Sequence, residues 1–302
     1  MTRRAIATPA RRGKCASRAA VVAGTLSAIV LAAVALAGCS TLGNPPAAEN
    51  NDPAYATAQP NLASLSEVIQ THPDDPQAYN MRGAVFGEAG RSEQALADFN
   101  KAIALDPNYA QAYANRGLVY RKTGKLDLAV ADYDKALSID PSYGAAYLGR
   151  GMVQSAQNRG TQALADFNKA IALKPNSGEA YYSRGLLYQR QRQHPFAIDD
   201  FSTALGLTTQ KTDVFVARAL SYLAVGDNKS AAADLDQAVQ ADPTNAKAWA
   251  SRGLAYERLG DKEKAAGSYA RRSTSTTNTS RRRPALRASA AAPANRIRRS
   301  RV

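Results

Sequence analysis

A period of 34 residues governs the chain from Pro76 to Arg271, and few other features restrict a fold so tightly. Units begin at Pro76, Ala110, Gly144, Gly178, Thr212 and Ala246. Position four of the unit holds Tyr79, Tyr113, Tyr147, Tyr181, Phe215 and Trp249, and position eight holds Gly83, Gly117, Gly151, Gly185, Ala219 and Gly253. A large ring one helical turn from an absent side chain lets a neighbouring helix approach closely. Phe86, Tyr120, Tyr188, Tyr222 and Tyr256 extend this stripe at position eleven.

A second stripe follows in each unit. Ala95, Ala129, Ala163, Ala197, Ala231 and Ala265 stand at position twenty, and Phe99, Tyr133, Phe167, Phe201, Leu235 and Tyr269 four residues later. Alanines come three residues after that, from Ala102 to Ala238, and Pro107, Pro141, Pro175 and Pro243 then stop the helix. Each unit therefore reads as two amphipathic helices that bury their apolar faces by stacking on neighbouring units. Three departures predict local irregularity: Gln154 at position eleven, Thr209 in place of proline and Ala219 in place of glycine.

These coincident columns resemble the tetratricopeptide repeat family over six consecutive units covering residues 76–271. The resemblance implies an all-α, right-handed superhelical solenoid of about six helix-turn-helix repeats. Its units span 76–109, 110–143, 144–177, 178–211 and 212–245, with a truncated sixth at 246–271. One period before the first unit, Leu65, Val68 and Pro73 fall in the columns of Phe99, Ala102 and Pro107, which predicts a capping helix within 61–75.

Net charge is +14, but it is not spread evenly. Residues 1–38 carry six basic and no acidic side chains, residues 271–302 carry ten and none, and the body between holds 23 basic against 25 acidic. Basicity thus belongs to the ends, and no nucleic-acid partner is expected for the domain. Arg3, Arg4, Arg11, Arg12, Lys14 and Arg18 precede the apolar stretch from Ala19 to Ala37, the pattern of a signal peptide over 1–38. Leu36-Ala37-Gly38-Cys39 then resembles a bacterial lipoprotein cleavage box, which implies lipidation at Cys39. Ser40, where aspartate would favour the inner membrane, points in that family to the outer membrane. Residues 39–60, rich in Pro, Ala and Asn, read as a flexible lipid-anchored linker. Cys15 lies in the expected signal peptide, so the mature domain would keep no free thiol.

Two polar columns accompany the packing positions. Arg82, Arg116, Arg150, Arg184, Arg218 and Arg252 occupy position seven, and Asp98, Asp132, Asp166, Asp200 and Asp234 position twenty-three. A structural pair between packed helices is the favoured reading over a ligand-binding ladder. Ser268 in the sixth unit leaves Arg252 without its aspartate.

Ligands in the family usually lie in the groove lined by first helices, at positions two, five, nine, twelve and thirteen. Transferred to this sequence, those positions present Leu118, Arg121, Lys122, Leu148, Met152, Tyr182, Leu186, Gln189, Arg190 and Leu220, together with Val216 and Leu223. The resemblance implies an apolar floor with basic residues along part of it, suited to an amphipathic or extended peptide with acidic side chains. The lysine and asparagine clamp of chaperone-binding members is not reproduced. No catalytic residue, metal site or cofactor is expected: His72 and His194 stand in separate turns, and neither a phosphate loop nor a nucleophile elbow is present.

From Arg271 the composition changes to Arg, Ser, Thr, Ala and Pro, a basic tail over 272–302. Codons compatible with Arg272 to Thr279 can be chosen that, in a shifted frame, read Val-Asn-Leu-Asp-Asn-Gln-Tyr and restore a repeat-like ending, so a frameshift is an expectation that the gene would test. The resemblance extends to bacterial tetratricopeptide lipoproteins of the new lipoprotein I type, which scaffold peptidoglycan enzymes and a periplasmic protease. It implies a non-enzymatic adaptor on the periplasmic face of the outer membrane, binding other envelope proteins or peptides. The alternative is a self-assembling structural unit, possible as a homodimer.

Overall fold

The computed structural model describes residues 62–209 and 211–272. The expected signal peptide, Cys39 with its linker and the tail after Arg272 lie outside the described residues. Within them all regular structure is helical. A lone helix α1 (Leu62–Thr71) precedes five pairs: α2 (Pro76–Glu88) with α3 (Ser92–Leu105), α4 (Ala110–Lys122) with α5 (Leu126–Ile139), α6 (Gly144–Ala156) with α7 (Gly160–Leu173), α8 (Gly178–Arg190) with α9 (His194–Leu207), and α10 (Thr212–Val225) with α11 (Asn228–Ala241). Helix α12 (Ala246–Arg258) follows, and helical structure over 262–272 forms α13.

The helix ends follow from local chemistry. Asp75, Ser177 and Asn245 accept backbone N–H groups at the starts of α2, α8 and α12, and Pro76 occupies the first turn where its missing N–H is harmless. All six turns between paired helices need a left-handed residue. Gly90, Gly124, Gly226 and Gly260 supply it with φ between 73° and 84°, whereas Asn158 and Arg192 adopt φ of 61° and 58°. Asparagine tolerates that region, but arginine there is strained by about 1 kcal/mol.

Each first helix packs on its own second helix, and each second helix on the next first helix. First helices also touch one another from α2 through α12, while no two second helices make such contact among the described residues. The first helices are therefore closer together, and the solenoid curves with them on its inner face.

The glycine column is explained by the second-helix rings. A Cβ on Gly185 would lie 2.7 Å from Phe201 Cε1, and one on Gly151 would lie 2.8 Å from Phe167 Cε1. Phe99, Phe167 and Phe201 are almost wholly buried. The position-four rings are only half-buried, so the close approach is made by the position-twenty-four rings instead. Ala219 stands where the ring is absent: Leu235 occupies the ring position, and both lie in one buried cluster. Tyr133 brings a hydroxyl where Phe99, Phe167 and Phe201 have none, and Gly149 leaves room for it, since a Cβ there would sit 2.7 Å from that oxygen.

The irregularity expected at Gln154 and Ala219 is not found. The backbone carbonyl of Gln154 accepts from Arg159 N–H at 2.8 Å, as Tyr120 does from Lys125 at 2.9 Å, because the turn depends on backbone bonds and not on the ring. Thr209 differs: Lys211 takes a helical φ/ψ of −93°/−19°, whereas Tyr109, Tyr143 and Ser177 before α4, α6 and α8 are non-helical with ψ of 84° to 95°. Without the proline the residue before α10 is helical, although α9 ends and α10 begins at the same positions of the unit as their siblings.

The charged columns form pairs with a second, backward reach. Arg116 Nε and Nη2 donate to both carboxylate oxygens of Asp132 at 2.8 and 2.7 Å, while Nη1 donates to Asn100 of the preceding unit at 2.6 Å. Arg82, Arg150, Arg184 and Arg218 repeat the arrangement, reaching back to Ser66, Asp134, Asn168 and Ser202. Ser66 lies on α1, so the cap supplies the acceptor that the first unit requires. Arg252 keeps two partners despite the serine, donating to Ser268 Oγ at 2.7 Å and Asp236 Oδ1 at 2.6 Å. Carboxylate bonding holds the Arg184 guanidinium above its ordinary pKa, against the opposing effect of burial. In α1, Leu65 and Ile69 are buried but Val68 is exposed, since the alanine column it continues is covered only where a first helix of the same unit exists.

Candidate peptide-binding groove

Helices α4, α6, α8 and α10 place the expected groove residues on neighbouring turns of the inner face. Leu118, Leu148, Met152, Tyr182, Leu186 and Leu220 are all half-buried, each sharing its surface between the core and solvent. Leu148 and Met152 rest on the cluster of Ala163, Phe167 and Leu187. Tyr182 tilts against Phe201 with ring centroids 5.9 Å apart, and burial raises its hydroxyl pKa. Leu186 packs on the cluster that contains Phe201, and Leu220 on the next, around Leu235. Val216 and Leu223 do not face the groove: both are buried, because α12 closes over this part of α10.

The polar groove residues are largely engaged by the scaffold. Gln189 Nε2 donates to Ala217 O and Ser221 Oγ, both at 2.8 Å, and so satisfies a fully buried hydroxyl on α10. Arg190 donates to Ser155 O at 3.1 Å and also to Ser155 Oγ. Arg258, one period and a unit further on, repeats that contact with Leu223 O at 2.8 Å. Both guanidinium groups cap carbonyls at the end of the previous inner helix, where cations are favoured. Arg121 pairs with the hydroxyl of Tyr133, whose pKa burial pushes up to about 12 despite that cation. Lys122 remains exposed at the end of α4.

Two further features were not foreseen. Asn115 Nδ2 donates to Asn80 Oδ1 at 2.9 Å, and Asn80 Nδ2 donates to Tyr109 Oη at 3.2 Å, forming a polar network across the first two units. A cleft of about 1050 Å³ opens at the starts of α8 and α10, beside the irregular turn, with Tyr182 in its wall and Glu179, Asp213, Asp242 and Lys211 at its rim. The groove is therefore not uniformly basic, since its cleft end carries three carboxylates against one amine. Among the described residues no three His, Cys, Asp or Glu side chains are grouped to hold a metal, and no helix is long and apolar enough to cross a membrane.

Comparison with known proteins agrees with this architecture. Family models described as tetratricopeptide repeat match residues 110–143 and 216–278, and one described as TPR repeat matches 88–124 and 155–191. The solved structure of pilF from Pseudomonas aeruginosa is 23% identical with a TM-score of 0.59, over 64% of this chain and 88% of that one. PilW, a type IV pilus biogenesis factor, is 21% identical with a TM-score of 0.54, over 61% and 84%. The Cut9-Hcn1 structure gives 16% identity and a TM-score of 0.63, over 76% of this chain but 44% of that one. No curated protein matches the chain. Such repeats support a scaffold for protein–protein interaction, a generally non-catalytic role. By its period, its helix pairs and these matches, the chain belongs to the tetratricopeptide repeat proteins.

Proposed function

We propose that the protein is a lipid-anchored adaptor of the bacterial envelope, held at the outer membrane through Cys39, whose inner face grips a segment of another envelope protein. The observation that carries the binding role is the row of six half-exposed apolar side chains, from Leu118 to Leu220, along four consecutive inner helices. Packing alone does not require a row of apolar groups to remain half in water, whereas a ligand would complete their burial. The acidic rim near Tyr182 and the exposed Lys122 give the occupant a direction: apolar anchors, a cation toward the cleft and a carboxylate toward α4. Peptidoglycan enzymes and a periplasmic protease are the partners proposed from likeness to other lipoproteins of this architecture. The sequence Leu36-Ala37-Gly38-Cys39-Ser40 supports the anchor and its location.

A photoreactive residue at Met152 or Tyr182, activated in cells, should crosslink envelope proteins that a probe at outward-facing Ala172 does not. Equal products at all three positions would refute the groove. Labelled palmitate should enter the wild-type chain but not the Cys39→Ala variant, and equal labelling of both would refute the anchor. Self-assembly is the second reading, favoured by Leu254 and Leu259, which stay exposed on and beside the last inner helix. It predicts a mass that rises with concentration in sedimentation, and a constant monomer mass would remove it.

A further inference from the structure

Lys122, Lys125, Arg159, Arg190 and Arg192 all lie at the turns joining the paired helices of units two to four, and all five side chains are exposed. These turns adjoin. Arg190 donates to Ser155, Gln157 Nε2 donates to Asp127 Oδ1 at 3.1 Å, and a Cβ on Gly160 would lie 2.9 Å from Gln191 Nε2. Asp127 is the sole acidic residue in the segments 121–127, 156–160 and 189–194, although the body of the protein has more acidic than basic side chains.

The scaffold accounts for Arg190, which caps Ser155, for Lys122 in the last turn of its helix and for Lys125 over the Tyr120 ring, but not for Arg159 and Arg192. Arg192 occupies a left-handed position filled by glycine in four sibling units, so the fold gains nothing from a side chain there. Arg159 stands just before a helix, the end at which the helix dipole disfavours a cation. Its counterparts Arg91 and Lys125 rest over the rings of Phe86 and Tyr120 at 4.7 and 6.0 Å. Gln154 takes the place of that ring in unit three, and the Arg159 side chain makes no hydrogen bond or ion pair among the described residues. Two departures from the repeat, Gln154 and Arg192, thus converge on one edge and leave Arg159 and Arg192 directed at solvent.

We propose that this edge rests on the anionic surface of a phospholipid bilayer, its lysines and arginines meeting headgroup phosphates. The choice of occupant follows from shape. The cleft lies at the opposite ends of the helices, and a row of turn tips offers no trough for an acidic peptide but can meet a flat charged surface. It also rests on the anchored reading, in which Cys39 holds the protein at the membrane.

The test uses the full chain carrying Cys39→Ser, so that association with vesicles does not require acylation. Lysine acetylation is followed by mass spectrometry on phosphatidylcholine vesicles with and without about 30% phosphatidylglycerol. Acetylation of Lys122 and Lys125 should slow by about threefold or more on the anionic vesicles, relative to Lys101, Lys135 and Lys169 on second helices. Arg159→Glu with Arg192→Gly, or high salt, should abolish that protection while circular dichroism stays unchanged. Equal rates on both vesicles would overturn the proposal. So would equal protection by soluble polyglutamate without vesicles, which would make an acidic polypeptide the ligand. Neither result bears on crosslinking at Met152 and Tyr182, so failure here is distinct from failure of the groove.

Discussion

The seam between paired helices and the inner wall of the solenoid are built from the same repeat, yet they behave oppositely. Along the seam, arginine, aspartate, ring and small residue recur, and in the first five units each arginine has the same aspartate partner at nearly the same distance. Along the inner wall, Leu118, Met152, Leu186 and Leu220 share one position, but the flanking positions run through arginine, serine, glutamine and leucine. Duplication preserved what each unit needs to fold and released what it needs to bind. A conserved-looking column is therefore weak evidence for a ligand in such a chain, and a variable column beside it is stronger.

Breaking the seam should produce the largest effect. Arg184→Met leaves the buried carboxylate of Asp200 unpaired and should destabilise by about 3 kcal/mol in urea unfolding. Arg184→Met combined with Asp200→Leu should recover most of that loss, because a pair of apolar residues needs no partner. Gly185→Ala should cost about 2 kcal/mol, since the locked ring of Phe201 cannot retreat. Gly253→Ala should cost less than half as much by the same measurement, although its Cβ would approach Tyr269 Cε1 to 2.4 Å, because that ring is only half-buried and can swing. Smaller effects of opposite sign sharpen the contrast. Gly206→Ala, with nothing within 4 Å of the added carbon in a helix, should stabilise by about 0.5–1 kcal/mol. Arg192→Gly should stabilise by about 0.5 kcal/mol in thermal melts while weakening the basic edge.

The seam was legible in the sequence because its residues keep their identity from unit to unit. The backward acceptors of the arginines were not, since Ser66, Asn100, Asp134, Asn168, Ser202 and Asp236 share only an oxygen and look like an ordinary solvated column. Ala219 read as a defect because its compensation, Leu235, stands sixteen residues away in another column. The groove was legible only in outline. Its apolar positions are half-exposed as the inner face requires, but Arg190 and Gln189, read as ligand contacts, are held by Ser155 and Ser221 of the flanking units. A contact between successive units depends on how the helices are offset, which residue identity alone does not encode. The acidic rim of the cleft was missed for a similar reason, because Glu179, Asp213 and Asp242 come from three helices or their ends.

The backward reach of each arginine has an evolutionary consequence. A newly duplicated block of 34 residues arrives with its own aspartate and hands the next block the oxygen that block requires, so the array can lengthen without any adjustment elsewhere. An insertion of 33 or 35 residues between units would put the backward acceptor out of step with its guanidinium while leaving the pair within the unit intact. The seam thus acts as a gauge for copying errors, admitting whole units and rejecting near misses.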